Sequence, residues 1–308
     1  MLRFSLRRTA QMAIVVFGVV TLVFFILRLA SGDPANLMVP PGQQEDLVQL
    51  TRERLGTDRP ILVQYGEYLV GLARGDLGVS FHGGQPVLDE VLKALPNTAL
   101  LAAVTIVFSS AVALVLGIGA ALRANGAFDR VVLVYVSVAL ATPSFWLAIV
   151  LVMFFSVRLG WLPAIDMEGP ESFVLPVITL AVALTPVLIR MIRLSFLETL
   201  SDDHVRAARA RGIPERRVIL VHGLKVAALP LITLVGLQMG LILAGSYVVE
   251  FVFNWPGIGK LTLDAVVSRN FPMIQGGVLV AALAFVVVNF VVDLAYAAVD
   301  PRIRLAAR

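Results

Sequence analysis

Residues 99–122 read ALLAAVTIVFSSAVALVLGIGAAL, an apolar run without a single charged side chain. As an α-helix it would be about 36 Å long, which is enough to cross the roughly 30 Å hydrocarbon core of a bilayer. Its length favours a helix over a strand, because in lipid every backbone polar group needs a partner within the segment. Similar runs occupy residues 11–30, 131–157, 172–189, 226–249 and 270–292, and Arg28 is the one charge inside the whole set. We therefore predict an all-α, polytopic membrane protein with six transmembrane helices.

The composition agrees with this class of protein. The 308 residues are 58% hydrophobic and 15% charged, and the mean hydropathy is +0.89. Soluble domains are about one quarter charged. The absence of cysteine excludes disulfides and thiolate metal sites, and the three histidines lie in different segments, so we predict no metal site. The small net charge of +4 gives no reason to expect a nucleic acid partner.

The distribution of Lys and Arg predicts which ends face the cytoplasm. If the amino terminus is inside, the inner segments hold 16 of the 25 basic residues. Positive charge in short loops favours the cytoplasmic side. We therefore expect both termini in the cytoplasm of a bacterial cell, with the protein in its cytoplasmic (inner) membrane.

The chain reads as a single transmembrane domain, 1–308, with two polar excursions. The first is a large external insertion, 31–97, between the first and second spans, and the second is a cytoplasmic loop, 193–225. Within the insertion, we predict a short helix over 43–55. A second helix is expected to begin after Pro60, a residue that favours the first helical turn.

The polar segment after the fourth run is longer than a chain reversal requires. Residues 201–225 read SDDHVRAARARGIPERRVILVHGLK. Ser201 is a typical N-cap, acidic residues follow it, and Gly212 comes after a basic last turn. Capping and the helix dipole favour this order, so we predict a short helix over residues 202–211.

One side of this short helix is expected to be nearly flat. Val205, Ala208 and Gly212 fall on it at spacings of three and four, and such positions share a helix face. The flat side would let another protein approach closely, and basic side chains would reach its acidic groups. A solvated loop that only obeys the positive-inside rule is the alternative. The predicted docking residues are Asp202, Asp203, Val205, Arg206, Ala207, Ala208, Arg209, Gly212 and Arg216.

The same segment resembles the coupling loop of ABC importer permeases, whose pattern is Glu-Ala-Ala, three residues and then Gly. Arg206, Ala207, Ala208 and Gly212 stand at the matching positions, with Arg206 in place of the acid. This form is similar to the dipeptide, oligopeptide and nickel branch of the family. Further motifs of that branch follow in order: Gly32-Asp33-Pro34, Leu55-Gly56-x-Asp58-x-Pro60, Gly75-Asp76-Leu77-Gly78, Pro96-Asn97-Thr98, Trp255-Pro256-Gly257-Ile258-Gly259 and Asp300-Pro301-Arg302.

The resemblance implies a transport subunit that works inside a larger machine. A second homologous permease would complete the pathway for di- or oligopeptides, one or two ABC ATPase subunits would dock on the cytoplasmic loop, and an extracytoplasmic substrate-binding protein would deliver cargo. The chain itself would be no enzyme and would hold no cofactor, since ATP and Mg²⁺ would bind to the partner ATPases. Membrane lipid would surround the spans.

The spans carry few polar side chains, and these are the candidates for the pathway lining. Weak contacts from hydroxyls and amides suit a pathway that must release what it accepts. The alternative is that such groups bond only to neighbouring backbone. Gly236 and Gly240 lie four apart, a spacing that allows close helix approach. The candidate lining residues are Ser137, Thr142, Ser144, Gln238, Ser246 and Asn289.

Two other functional classes fit the sequence less well. A self-sufficient secondary transporter or channel would need paired charges or interrupted half-helices within the membrane, and the sequence shows neither. A non-transporting scaffold would not need spans marked by Pro143, Pro176, Pro186 and Pro230. The cargo stays open among dipeptides, longer peptides, glutathione, haem and metal complexes.

Overall fold

The computed structural model confirms the all-α prediction for the part of the chain that it describes. Its described residues are 2–29, 35, 45–164, 169–218 and 224–299. Within these ranges the chain forms no strand, and one isolated bridge joins Val79 and Pro86.

The helices follow one another with short connections. A π-helical turn, Val152–Arg158, continues the sixth helix, and a 3₁₀ turn, Pro170–Phe173, leads into the seventh. In chain order they are α1 (Leu2–Leu29), α2 (Glu45–Leu55), α3 (Ile61–Ala73), α4 (Val87–Leu122), α5 (Ala127–Ala141), α6 (Ser144–Leu151), α7 (Val174–Ser201), α8 (Asp203–Ala210), α9 (Glu215–Arg217), α10 (Leu224–Gly245), α11 (Tyr247–Val252), α12 (Ile258–Val267) and α13 (Phe271–Val299).

Four helical segments of the described residues are long and apolar enough to cross a membrane. They are Arg8–Leu29, Val87–Leu122, Pro170–Ser201 and Phe271–Val292. A fifth crossing is present if α5 and α6 form one broken span. The remaining predicted run, 226–249, forms most of α10 and the start of α11, but several of its side chains lie outside the described residues. The count of six spans therefore stays a prediction.

The third predicted run is not one straight helix. It bends by 100° between Ala127–Ala141 and Ser144–Arg158. The break falls at Thr142 and Pro143, where the backbone is extended, with ψ angles of 115° and 133°. Proline lacks a backbone donor and disfavours helix in the residue before it, which explains the position of the break.

The described chain forms two compact units. The described residues of the first, within 99–255 and 285–299, are organised around α7, which packs against α5, α6 and α10. Its apolar centre includes the fully buried residues Leu188, Ile189 and Phe196. A Cβ on Gly117 would lie 2.9 Å from the Ile192 side chain, so only glycine allows α4 and α7 this approach.

Gly236 and Gly240 also bring two helices of this unit together, as predicted. A Cβ on Gly236 would lie 2.0 Å from Val292, and one on Gly240 would lie 2.9 Å from Phe285. Helix α10 therefore approaches the second half of α13 more closely than any residue with a side chain would allow.

The second unit consists of residues 2–98 and 256–284. Here the predicted motifs Pro96-Asn97-Thr98 and Pro256-Gly257-Ile258 meet. The Ile258 backbone N–H donates to Thr98 Oγ1 at 2.8 Å, and Asn97 Nδ2 donates to the Pro256 carbonyl at 2.8 Å. Thr98 is 1% exposed. The α4 side chains thus satisfy backbone groups at the start of α12, where a helix has no internal partners.

Candidate functional site

The predicted short helix of the cytoplasmic loop is present as α8. It covers Asp203–Ala210, one residue shorter at each end than predicted. The predicted N-cap is wrong. Helix α7 continues through Ser201, whose hydroxyl donates to the Glu198 carbonyl at 2.7 Å, so the N-cap position passes to Asp202.

Gly212 ends α8 in the way that the sequence indicates. Its φ angle is +75°, in the left-handed region that favours glycine. The Gly212 N–H donates to the Arg209 carbonyl at 2.9 Å, and the Ile213 N–H donates to the Ala208 carbonyl at 3.3 Å. Ile213 also packs on the cluster around Ala208. This is the Schellman ending, in which two backbone bonds and one apolar contact close the helix.

The flat side of α8 is not free for a partner, which corrects the prediction. Val205 is 0% and Ala208 6% exposed, and both pack with Val218, with Leu200 and Ile213 beside them. After the turn at Gly212 the chain runs back across this side, so α8 packs against later residues of its own chain. The exposed side of α8 carries Asp203, Arg206, Ala207, Arg209 and Ala210.

Two ion pairs organise the exposed side of α8. Arg206 Nη1 lies 3.5 Å from Asp203 Oδ1 on the helix surface. Arg209 makes a bidentate pair with Glu215, with Nη2–Oε1 and Nε–Oε2 distances of 2.6 and 3.1 Å. The hydrogen bonds from Arg209 hold the pKa of the Glu215 carboxyl below its usual value. Both partners remain substantially exposed, so this pair orders the loop more than it stabilises the fold. The Arg216 side chain lies outside the described residues.

A second bidentate ion pair connects α7 to the start of α5, and the sequence analysis missed it. Arg193 Nε and Nη2 donate to Asp129 Oδ1 and Oδ2 at 2.7 and 2.8 Å. Asp129 Oδ2 also accepts the Asn125 backbone N–H at 2.8 Å. Asp129 is 1% exposed. The acid in the first turn of α5 was a visible signal, but the two partners are 64 residues apart, so local patterns do not pair them.

A cavity of about 220 Å³ brings together three of the predicted lining residues, Ser144, Gln238 and Ser246. Gln238 is 7% exposed, and its amide is one of the polar groups that line the cavity. The other walls are apolar, contributed by α7, α10 and α11: Leu180, Ala183, Leu184, Leu241, Ile242, Val248 and Val249. The cavity thus offers an amide and hydroxyls in an apolar setting, with no charged side chain among its lining residues.

Ser246 connects the cavity to a buried acid that the sequence analysis did not single out. Its hydroxyl donates to Glu250 Oε1 at 2.5 Å, and Glu250 is 0% exposed. The acid lies one helical turn after Ser246, a spacing at which side chains meet. Glu250 therefore fixes the orientation of the Ser246 hydroxyl beside the cavity.

The other three predicted lining residues do not border this cavity. The Ser137 hydroxyl donates to the Leu133 carbonyl at 3.0 Å, and the Thr142 hydroxyl donates to the Val138 carbonyl at 2.8 Å. Asn289 Nδ2 donates to the Phe285 carbonyl at 2.8 Å, and Asn289 packs at Gly240. These groups satisfy themselves on their own helices, the alternative left open by the sequence.

The fold and these sites belong to a defined class of proteins. Residues 113–305 match the family described as "Binding-protein-dependent transport system inner membrane component", and residues 1–102 match its amino-terminal companion family. The chain belongs to this family. It is a permease of an ABC importer, a multi-pass membrane protein and a transport component rather than an enzyme. Such a permease acts with a partner permease, an ATPase and a binding protein.

Individual relatives cover the chain almost from end to end. It is 38% identical over 304 residues to the "Glutathione transport system permease protein GsiC" of Escherichia coli O6:H1, with 99% of each chain covered. The protein of the same name in Salmonella choleraesuis is 39% identical over the same coverage. Among solved structures, "Inward facing conformations of the MetNI methionine ABC transporter" matches with a TM-score of 0.59 and 16% identity, covering 68% of this chain and 96% of that one. At this identity the likeness shows the fold alone.

Proposed function

We propose that this chain imports short peptides, and that ATPase subunits drive it through the exposed side of α8. The observation that carries the proposal is the construction of α8. Its apolar side is buried on Val218, while the Schellman ending and the Arg209–Glu215 pair fix its exposed side. A helix that only filled a loop would not need to be anchored at both its side and its end.

The exposed side of α8 suits a protein partner that carries acidic groups. Among the described residues Arg206 pairs with the fully solvated Asp203 carboxylate, at 3.5 Å, so it can exchange this partner readily. Ala207 and Ala210 are exposed and small, and they allow close approach between the charges. ATP and Mg²⁺ bind on the partner ATPases in this proposal, and both termini of the chain face the cytoplasm with them.

The cavity around Gln238 suits a peptide better than an ion. A peptide bond offers one donor and one acceptor, and the Gln238 amide offers the complementary pair. Apolar walls accept side chains of varied structure, and the uncharged lining permits release. The relatives named as glutathione permeases support a tripeptide-sized cargo, and the cavity does not distinguish glutathione from other short peptides.

Docking is tested by crosslinking in the assembled importer. The chain has no cysteine, so a single cysteine introduced at Asp203, Ala207 or Val205 is its one crosslinkable thiol. We expect the first two to crosslink to an ATPase subunit, while the buried Val205 position does not. Crosslinking at none of the three positions, in a complex that still hydrolyses ATP, contradicts docking at α8.

Cargo is tested by uptake into proteoliposomes that contain both permeases, the ATPases and the binding protein. Labelled di-, tri- and pentapeptides, glutathione and Ni²⁺ are compared in the presence of ATP. We expect ATP-dependent uptake of short peptides or glutathione. Uptake confined to Ni²⁺ contradicts the peptide proposal and leaves the docking proposal standing.

A further inference from the structure

Helix α3 lies in the stretch that the sequence assigns to the exterior, yet it packs deeply against α1. The Tyr65 hydroxyl forms a 2.7 Å hydrogen bond with Thr21 Oγ1, and the Tyr65 ring lies 5.3 Å from the Phe25 ring. The Tyr68 ring stacks on Phe24 at 5.5 Å. Phe24 is 1% exposed, so the two tyrosines complete its burial.

The position of these contacts along α1 gives their depth. The apolar part of α1, Arg8–Leu29, contains 22 residues, or about 33 Å of helix, which matches the hydrocarbon thickness of a bilayer. Thr21 lies about 12 Å from the carboxyl end of this stretch, and Phe24 lies about 8 Å from it. The rings of α3 thus contact α1 below the level at which α1 leaves the membrane.

The side of α3 that faces away from α1 is apolar and exposed. Leu62 is 72% and Val70 51% exposed, and Gly66 and Ala73 are exposed on the same side. No residue of α3 is buried. Transfer of this side from water into an apolar environment would be favourable by roughly 25 cal/mol per Å² of apolar surface.

This apolar side continues a surface that the membrane already covers. On α1, Leu22 is 62% and Ile26 57% exposed among the described residues. Because they lie within the span on either side of Phe24, their environment is hydrocarbon. Because α3 contacts α1 at Thr21 and Phe24, we infer that its exposed side lies beside Leu22 and Ile26, at a similar depth.

The polar groups of α3 gather at the membrane-surface end of α1. Arg28 Nε donates to Gln64 Oε1 at 3.0 Å, and the Arg28 guanidinium lies 4.7 Å above the Phe24 ring. Glu67, the one charged residue in α3, pairs with Arg59, which precedes the helix. Glu67 is half exposed and lies one turn before Val70, and its charge is compensated by Arg59.

We propose that α3 lies within one leaflet of the bilayer, its side Leu62, Gly66, Val70 and Ala73 in contact with lipid acyl chains. This is the leaflet that contains the carboxyl-terminal part of α1. Helix α3 has 13 residues, too few to cross the membrane, so it enters and leaves on the same side. Its two tyrosine rings pack on Phe24, in a first span whose other side chains are largely exposed.

The test uses the absence of cysteine in the chain. Single cysteines replace Leu62 and Val70 in the assembled importer. Asp58→Cys, in the turn before α3, is the control for water, and Leu22→Cys in α1 is the control for lipid. Each variant is first labelled with a membrane-impermeant maleimide. A separate, unlabelled sample of each variant is labelled with a permeant fluorophore and reconstituted with phosphatidylcholine that carries a spin label on its acyl chain.

We expect Leu62→Cys and Val70→Cys to react at least roughly tenfold more slowly with the impermeant maleimide than Asp58→Cys, because hydrocarbon suppresses the thiolate and one pKa unit is tenfold. Their fluorophores should be quenched by the spin-labelled lipid as strongly as that of Leu22→Cys. Labelling as fast as Asp58→Cys places α3 in water and overturns the proposal. Slow labelling without quenching by lipid also overturns it, because a protein then covers this side. Either cysteine variant is sufficient if the other fails to reach the membrane.

Discussion

The bidentate pair between Asp129 and Arg193 is the residue-scale feature with the largest expected effect. Removing one partner leaves a nearly buried charge uncompensated, which costs about 3 kcal/mol or more. We therefore expect Asp129→Asn to lower the thermal stability of the purified chain strongly. The exposed Asp203→Asn, which loses only a solvated pair at 3.5 Å, is the matched control and should change stability little.

The exchange Asp129→Arg with Arg193→Asp separates the pair from its surroundings. If attraction between the two side chains is what matters, the double variant should recover part of the stability that each single variant loses. Equal losses in the single and double variants would instead assign the effect to the Asn125 N–H, which also bonds Asp129.

Gly212 gives a second residue-scale prediction, since the backbone and not the space around it requires glycine. A Cβ at Gly212 would meet nothing within 4 Å, and the same is true of Gly18 in α1. Only Gly212 has a positive φ, which costs other residues about 1–2 kcal/mol. We expect Gly212→Ala to reduce ATP-coupled uptake while Gly18→Ala does not, and Gly212→Asn to be intermediate. Unchanged uptake in Gly212→Ala would show that the end of α8 need not be fixed.

At the scale of the element, the pair between Arg209 and Glu215 makes the loop around α8 sensitive to acid. The pKa of Glu215 is lowered from 4.5, so its contribution is present above that value and is lost as pH falls through the lower pKa of the folded loop. Hydrogen exchange of the α8 amides should therefore accelerate as the pH falls below 4.5, beyond the intrinsic rate change. In Glu215→Gln, the excess acceleration should be absent. An identical pH dependence in both proteins would exclude Glu215 as the cause.

The contact between α10 and α13 depends on the absence of a side chain at Gly236. Alanine there would place its Cβ 2.0 Å from Val292, so the helices must separate or shift. Overpacking of this kind costs about 1–3 kcal/mol. We expect Gly236→Ala to lower the melting temperature in detergent and Val292→Ala to restore much of the loss in the double variant. Failure of that rescue would show that the helices meet elsewhere.

The elements themselves were largely predictable, while the contacts between them were not. Helix α8 was predicted to within one residue at each end, because capping and the glycine after it are local signals. The prediction that its flat side is free for a partner was wrong. Val218 lies ten residues beyond Ala208, and only the turn at Gly212 brings the two together. Hydroxyl and amide composition also led to six candidate lining residues, of which Ser144, Gln238 and Ser246 border one cavity. It did not separate these from Ser137, Thr142 and Asn289, whose carbonyl partners depend on helix geometry, and the role of all six in the pathway stays a prediction.

At the scale of the whole molecule, the bend between α5 and α6 raises the question of whether this segment crosses the membrane or returns to the same side. A broken span places Ala124, before α5, and Trp161, after α6, on opposite sides. A re-entrant loop places both on the same side. The 100° bend permits either path. The flanking charges favour a crossing, because Arg123 and Arg130 precede the apolar stretch and only Arg158 follows it.

Single cysteines at these two positions distinguish the paths in intact cells. Trp161 is 69% exposed and Ala124 is exposed, so both thiols are accessible to reagent. We expect an impermeant maleimide to label Trp161→Cys in intact cells, as it labels the reference Gln85→Cys in the predicted external insertion. Ala124→Cys should react only after permeabilisation, as Asp203→Cys in α8 does. Labelling of both Ala124→Cys and Trp161→Cys from one side would make α5 and α6 a re-entrant pair, and the two termini would then lie on opposite sides unless another crossing is also lost.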